Sequence, residues 1–172
     1  DWDRLDDMLR IVKDNKLNEV VITSFIRLLA NCPNDEKWDT VINALLTNES
    51  PLVRAASAAS LSGSITERAK NALITAAADS FRLVRIYAAS TLSGFPENRI
   101  SPANGDIVAE ATEEYMQSLV ARPDDWSAHY NKAIFHQNRG NTQKALDSYE
   151  TATMLYPDAV MPLINSSVLY SY

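Results

Sequence analysis

Residues 52–63 read LVRAASAASLSG and residues 83–94 read LVRIYAASTLSG; laid over one another at an offset of 31, they agree at seven of twelve positions. The identities are Leu52/Leu83, Val53/Val84, Arg54/Arg85, Ala58/Ala89, Leu61/Leu92, Ser62/Ser93 and Gly63/Gly94. They fall at helical spacing and end on a glycine, the residue that most readily stops a helix. The same offset carries Trp38, Val41, Ile42, Leu45 and Leu46 onto Ala69, Ala72, Leu73, Ala76 and Ala77, one apolar stripe in each case. Each unit therefore predicts two short helices. Ser50 before Pro51 reads as an N-cap followed by proline in the first helical position, where its missing N–H costs nothing. Ala55, Ala56, Ala58 and Ala59 admit a neighbouring helix at close range, while Val53 and Leu61 supply the larger core contacts. A helix pair cannot bury its apolar face alone, so stacked pairs are expected, with a weaker early copy over 19–48.

Val53-Arg54 through Leu61 and Val84-Arg85 through Leu92 resemble HEAT repeats. The resemblance implies that Arg54 and Arg85 belong to a structural polar ladder between repeats, with Glu49 or Asp79 as acceptors. The rival arrangement is an anion site built from Arg54, Arg82 and Arg85, which requires three guanidinium groups to converge in a cleft.

From Asp125 the pattern changes. Residues 128–157 (AHYNKAIFHQNRGNTQKALDSYETATMLYP) resemble a tetratricopeptide repeat at Ala133, Gly140, Ala145, Tyr149, Ala152 and Pro157. They depart from it at His129, Lys132 and His136, where the family often carries Trp, Leu and Tyr. A second copy begins at Ala159, with Asn165 falling 34 residues after Asn131 and Tyr170 falling 34 after His136. The sequence ends after the first helix of that copy, leaving Leu163, Val168, Leu169 and Tyr170 without a covering helix. Truncation of a longer array, or a homodimer through the C-terminal helix, is the expectation. Residues 95–105 form a long loop, and 106–121 form a bridging helix with Ile107, Val108, Ala111, Tyr115, Met116 and Leu119 on one face.

The expected fold class is thus all-α, an α-α superhelix (solenoid) of HEAT-like pairs over 1–122 continuing into tetratricopeptide-like helices over 123–172. The resemblance places a peptide-binding groove on Tyr130, Asn131, Ile134, Gln137 and Asn138. Lys132 is not where members that clamp a carboxylate carry lysine, so a peptide with apolar anchors is the expected ligand.

Composition excludes several other classes. The chain has 172 residues, with 16 Lys+Arg against 22 Asp+Glu and a formal net charge of −6, so nucleic acid is not an expected partner. No apolar run reaches the ~18 residues of a membrane helix. The four glycines are scattered, which rules out a phosphate-cradling glycine loop. The lone Cys32, next to Pro33 after an apolar run, reads as a buried small residue and forbids an internal disulfide or a cysteine-clustered metal site. His129 and His136 lie seven residues apart on one expected helix, roughly 10 Å along it, too far to share a metal ion. There is no GxSxG elbow, and adjacent acids such as Asp6-Asp7, Glu113-Glu114 and Asp124-Asp125 point to different sides of a helix or cap its start. Trp38 is expected in the core, and Trp126 to staple the tetratricopeptide helix against the one before it. No catalytic group, metal or cofactor is expected within this chain.

The order of parts, VRIYAASTLSGFP, an insert, Glu114-Tyr115, Arg122-Pro123, the tetratricopeptide unit and AVMPLINSSVLY, resembles the C-terminal region of exported multihaem c-type cytochromes. The opening Asp1-Trp2-Asp3 reads as a processed chain or an excised piece. This resemblance implies a periplasmic accessory region that docks a haem part or redox partner, although no CxxCH occurs here. The functional expectation is a non-catalytic scaffold for protein-protein interaction. The alternatives are that cytochrome docking role and a HEAT-type enzyme of the DNA glycosylase or bilin lyase class, the glycosylase being opposed by the acidic charge.

Overall fold

The computed structural model describes residues 2–14, 16–64 and 66–170. Among them the chain is all-helical: α1 Leu5–Lys13, α2 Glu19–Leu29, α3 Lys37–Thr47, α4 Pro51–Ser60, α5 Glu67–Ala76, α6 Arg82–Leu92, α7 Gly105–Val120, α8 Trp126–Asn138, α9 Thr142–Leu155 and α10 Val160–Leu169. Helices α1, α3 and α5 pack one on the next, as do α2, α4, α6 and α7, and the two rows touch within the pairs α1/α2, α3/α4 and α5/α6. Then α7 meets α8, α8 meets α9 and α9 meets α10. None of the described helices is long and apolar enough to cross a membrane.

Helix α4 starts as its sequence dictates. The Ser50 hydroxyl accepts from the Leu52 and Val53 N–H groups at 3.2 and 3.5 Å and donates to Glu19 of α2. Ser50→Ala should cost about 1 kcal/mol, read as a fall in the denaturant midpoint with an unchanged slope. The helix sits between two layers: Val53 and Ala56 are buried against α1 and α2, while Ala55 and Ala58 join the core of α3, α5 and α6. A helix enclosed on two sides needs small apolar residues nearly all round, which is why α4 is so alanine-rich. Val53 and Leu61 are fully buried; Leu52 and Leu83, although identical between copies, are exposed.

Two side-chain hydroxyls tie neighbouring helices of the second row. Ser60 Oγ donates to the Ile26 carbonyl at 3.3 Å, and Thr91, at the matching position 31 residues on, donates to the Ala58 carbonyl at 2.9 Å. A buried hydroxyl left without such a partner would cost free energy, so the pair fixes the register of α2, α4 and α6. The position is Ser in one copy and Thr in the other, and identity matching passes over it.

Several expectations are corrected. The early copy over 19–48 coincides with α2 and α3, but α1 precedes it and buries Leu5, Met8, Leu9 and Val12. On the expected stripe of α3, Leu46 is exposed and Trp38 half-buried, while Val41, Ile42 and Leu45 are core. The stretch after α6 contains two 3₁₀ turns, Glu97–Arg99 and Pro102–Asn104, held down by the Lys70 ammonium on the Arg99 carbonyl at 2.8 Å. On α7, Val108, Ala111, Tyr115 and Leu119 are buried, whereas Ile107 is exposed because the stripe is wider than the contact. Trp126 faces forward rather than back, with its ring 5.5 Å from that of Tyr156 and 6.3 Å from that of Tyr130.

The core is continuous from α7 into α8: Tyr115 meets Phe135 edge-on at 6.2 Å, and Ala128 and Phe135 belong to the cluster that includes Val108 and Leu119. Helix α8 ends in a Schellman turn, with Gly140 N–H on the Gln137 carbonyl, Asn141 N–H on the His136 carbonyl, and Gly140 at φ +69°. An L side chain is strained at that φ, so Gly140→Ala should cost about 1 kcal/mol although nothing lies within 4 Å of the added carbon. A thermal melt checks it.

Candidate functional site

Two constellations collect the residues singled out by sequence. In the first, Arg54 forks onto Asp79, Nε to Oδ2 at 2.8 Å and Nη2 to Oδ1 at 2.9 Å, while its Nη1 donates to the Asn48 and Glu49 carbonyls at 2.9 Å each. Arg85 repeats the arrangement one unit on. Its Nη1 donates to the Asp79 carbonyl at 2.7 Å, and Nε and Nη2 fork onto the two oxygens of Glu114 at 2.8 and 2.6 Å. Asp79 is thus held by both arginines, by its carboxylate and by its backbone. Such planar two-point pairs are the strong form of the ion pair, and here they link the α3–α4 turn to the α5–α6 turn and α6 to α7.

The electrostatics follow from these contacts. Burial pushes the Asp79 carboxyl up, but the Arg54 hydrogen bonds, the Phe81 N–H and the charges of Arg54 and Arg85 outweigh it and hold the group below its ordinary value. Glu114 is lowered chiefly by its hydrogen bonds to Arg85, against a smaller opposing effect of burial. The three guanidinium groups do not converge on an open anion site: Arg54 and Arg85 are committed to carboxylates, and Arg82 donates to the Glu114 carbonyl at 3.3 Å. Glu49 contributes its backbone carbonyl to Arg54.

Glu114 is the member that sequence reasoning missed, since Glu113-Glu114 read only as adjacent acids on different sides of a helix, with Glu49 or Asp79 as the expected acceptors for Arg85. The signal was obscured by the 95–105 insertion, which displaces α7 from the 31-residue step. In the structure Glu113 instead accepts from Gln117 within α7 at 3.0 Å, and only Glu114 faces α6.

The second constellation is the contact of α8, α9 and α10. Asp125 caps α8 by accepting from the Ser127 N–H at 2.8 Å. Tyr149, fully buried, donates its phenolic proton to Gln137 Oε1 at 2.6 Å. Asn165 of α10 donates Nδ2 to the hydroxyls of Tyr130 and Tyr149 at 3.2 and 3.3 Å. The rings of Tyr130 and Tyr149 lie 5.9 Å apart, and Ile134 packs on Ala133, Ala145 and Tyr149. Of the five expected groove residues, Tyr130, Ile134 and Gln137 are therefore fastened from behind by α9 and α10, Asn131 is half-buried, and Asn138 is exposed. A network that fixes side chains before a partner arrives reduces the ordering cost of binding.

The flank of this face is apolar. On α10 (VMPLINSSVL) there is no charged residue, and Val160, Met161, Leu163, Ile164 and Val168 are exposed, as are Tyr156 and Tyr170 nearby. Leu169, expected to be open, is half-buried against the α8–α9 cluster.

The remaining candidates do not assemble. His129 Nε2 lies 2.9 Å from the Pro123 carbonyl. The His136 Nδ1 is buried without a partner; burial, then the charges of Lys132 and Lys144, keep its pKa low and the ring neutral at pH 7. Among the described residues no three His, Cys, Asp or Glu side chains are grouped as a metal site. Cys32 is buried beside α1 and α2. Comparison with protein families, curated proteins and solved structures finds no match.

Proposed function

We propose that the chain is a non-catalytic helical-repeat scaffold, an α-α solenoid of HEAT-like pairs passing into tetratricopeptide-like helices, that captures an apolar-anchored peptide segment of a protein partner on the face of α8 and α10. The observation that carries this reading is the uncharged, apolar exposed surface of α10 beside the fastened Tyr130–Gln137–Tyr149–Asn165 network. Exposed apolar surface of this kind, next to prepositioned polar groups, is what protein recognition uses. The repetitive part supports the scaffold half of the proposal: the Arg54 and Arg85 forks, and the Ser60 and Thr91 ties, recur at the same 31-residue step.

The test is a selection from a random-peptide display library on the intact chain. Enriched peptides should share apolar anchors and bind Ile134→Arg or Asn131→Ala at least about tenfold more weakly, with the helical circular dichroism of both variants unchanged. Failure to enrich any peptide, or equal binding by the folded variants, overturns the assignment. Light scattering on the same samples decides the competing occupant, a second copy seated on α10. A dimer that Leu163→Asp converts to monomer, with no peptide selected, would replace the peptide by a homodimer contact.

A further inference from the structure

Away from that face, a concavity of about 360 Å³ lies between the two 3₁₀ turns, α7 and the end of α8, a volume at the lower end for small-molecule sites. Its walls are apolar, with Ile100, Pro102, Val108 and Ala109, and the Ser101 and Thr112 hydroxyls stand on them. One cation reaches it, Arg139, just past α8 and stacked on the Phe135 ring at 4.9 Å. The Arg139 Nε is buried and has no hydrogen-bond partner, while its Nη1 is paired with Glu97. Arg139 is mostly covered, its side chain 22% exposed; Glu97 is 67% exposed and sits on a short 3₁₀ turn.

These features do not balance as a purely structural tie. A guanidinium pressed on an aromatic face is preorganised to receive a carboxylate at two points, yet its N–H at Nε is left unanswered and its one carboxylate partner is solvated and easily displaced. The geometry points to a binding site for a small aliphatic carboxylate, whose anionic end forks onto the Nε–Nη2 edge of Arg139, the edge that Glu97 on Nη1 leaves open, and whose chain lies on Ile100, Pro102, Val108 and Ala109. Glu97, paired with Nη1, places a like charge at the rim of that site. The same chemistry is offered by a free short-chain acid and by the C-terminal residue of a peptide with an aliphatic side chain. None of these residues belongs to the α8/α10 face, so the site stands or falls independently of the function proposed above.

The experiment is a titration of the ¹⁵N-labelled chain, following the Arg139 Nε–H and the Gly105 and Ala109 amides, with hexanoate, N-acetyl-leucine and the neutral hexanamide as probes. Saturable shifts of all three signals with a carboxylate, and none with hexanamide, are expected. Tighter binding of hexanoate assigns a free acid, and tighter binding of N-acetyl-leucine a chain terminus. Arg139→Gln should weaken binding at least about tenfold, and Glu97→Gln should strengthen it several-fold by removing the neighbouring like charge. Ala109 is exposed on α7, so Ala109→Trp tolerates folding and should block the cavity. No saturable shift up to about 10 mM probe, equal shifts with hexanamide, or undiminished binding by folded Ala109→Trp would overturn the site.

Discussion

Replacing Tyr149 by alanine should cost about 3–5 kcal/mol and loosen the C-terminal helices before the rest of the chain. The side chain is fully buried, its ring tilted against that of Tyr130 at 5.9 Å and its hydroxyl bonded to Gln137 and Asn165, so the truncation removes the centre of the α8–α9–α10 contact, leaves the Gln137 amide without its phenol donor and takes one of the two acceptors from Asn165. Tyr149→Phe separates the two contributions. It keeps the ring and loses the hydroxyl, which should cost about 1–2 kcal/mol. Amide hydrogen exchange is the appropriate measurement because an array of stacked helices need not unfold as one unit. Protection should fall in α8, α9 and α10 and persist in α2, α4 and α6. Uniform loss of protection, or a Tyr149→Ala cost below about 1 kcal/mol, would show that the network does not organise this end of the molecule.

Arg54→Ala should cost about 2–4 kcal/mol, and Arg85→Ala somewhat less, about 1–3 kcal/mol. The difference follows from burial, since the Arg54 and Asp79 side chains are 12% and 13% exposed against 24% and 28% for Arg85 and Glu114. Removing Arg54 leaves a largely covered Asp79 carboxylate with only the Phe81 N–H and a more distant Arg85 charge to balance it. The Arg85/Glu114 coupling is measured by a double-mutant cycle with Glu114→Gln, which should return a favourable interaction free energy.

The same contacts set an acid limb. Asp79 and Glu114 titrate lower in the folded chain than their ordinary values of 3.8 and 4.5. In the unfolded chain they take up protons first as pH falls, so the stability they contribute is fully present above about pH 4.5 and is lost as pH drops through the lower folded values. Equilibrium unfolding between pH 6 and about pH 2.5 should show this loss, and Arg54→Ala with Arg85→Ala should flatten it. An unchanged pH profile in the double variant would mean that other carboxylates carry the acid sensitivity.

Much of this architecture is legible in residue order because helical periodicity and end signals are local. The stripe of α3, the Ser50-Pro51 start of α4 and the Gly140 stop of α8 each depend on residues within about one turn of one another. The 31-residue match also carries Arg54 onto Arg85, whose backbone acceptors, the carbonyls of Asn48 and Asp79, are themselves 31 residues apart. Where a partner is set by a non-local approach, the order of residues is silent. Glu114 escapes because an insertion lies between it and Arg85, and the forward turn of Trp126 toward Tyr156 depends on where α9 ends rather than on the start of α8.

The sequence by itself determined an all-helical chain, the 31-residue match that carries the start of α4 onto that of α6, and the residues that start and stop several helices, since each is a matter of short-range sterics and amphipathic pattern. Only the tertiary structure decided which acceptor each arginine takes, that Tyr130, Gln137, Tyr149 and Asn165 form one network, and that Arg139 meets an apolar cavity with one N–H unanswered. Those are contacts between segments far apart in the chain, and the packing of whole helices, rather than any local preference, brings their side chains within reach.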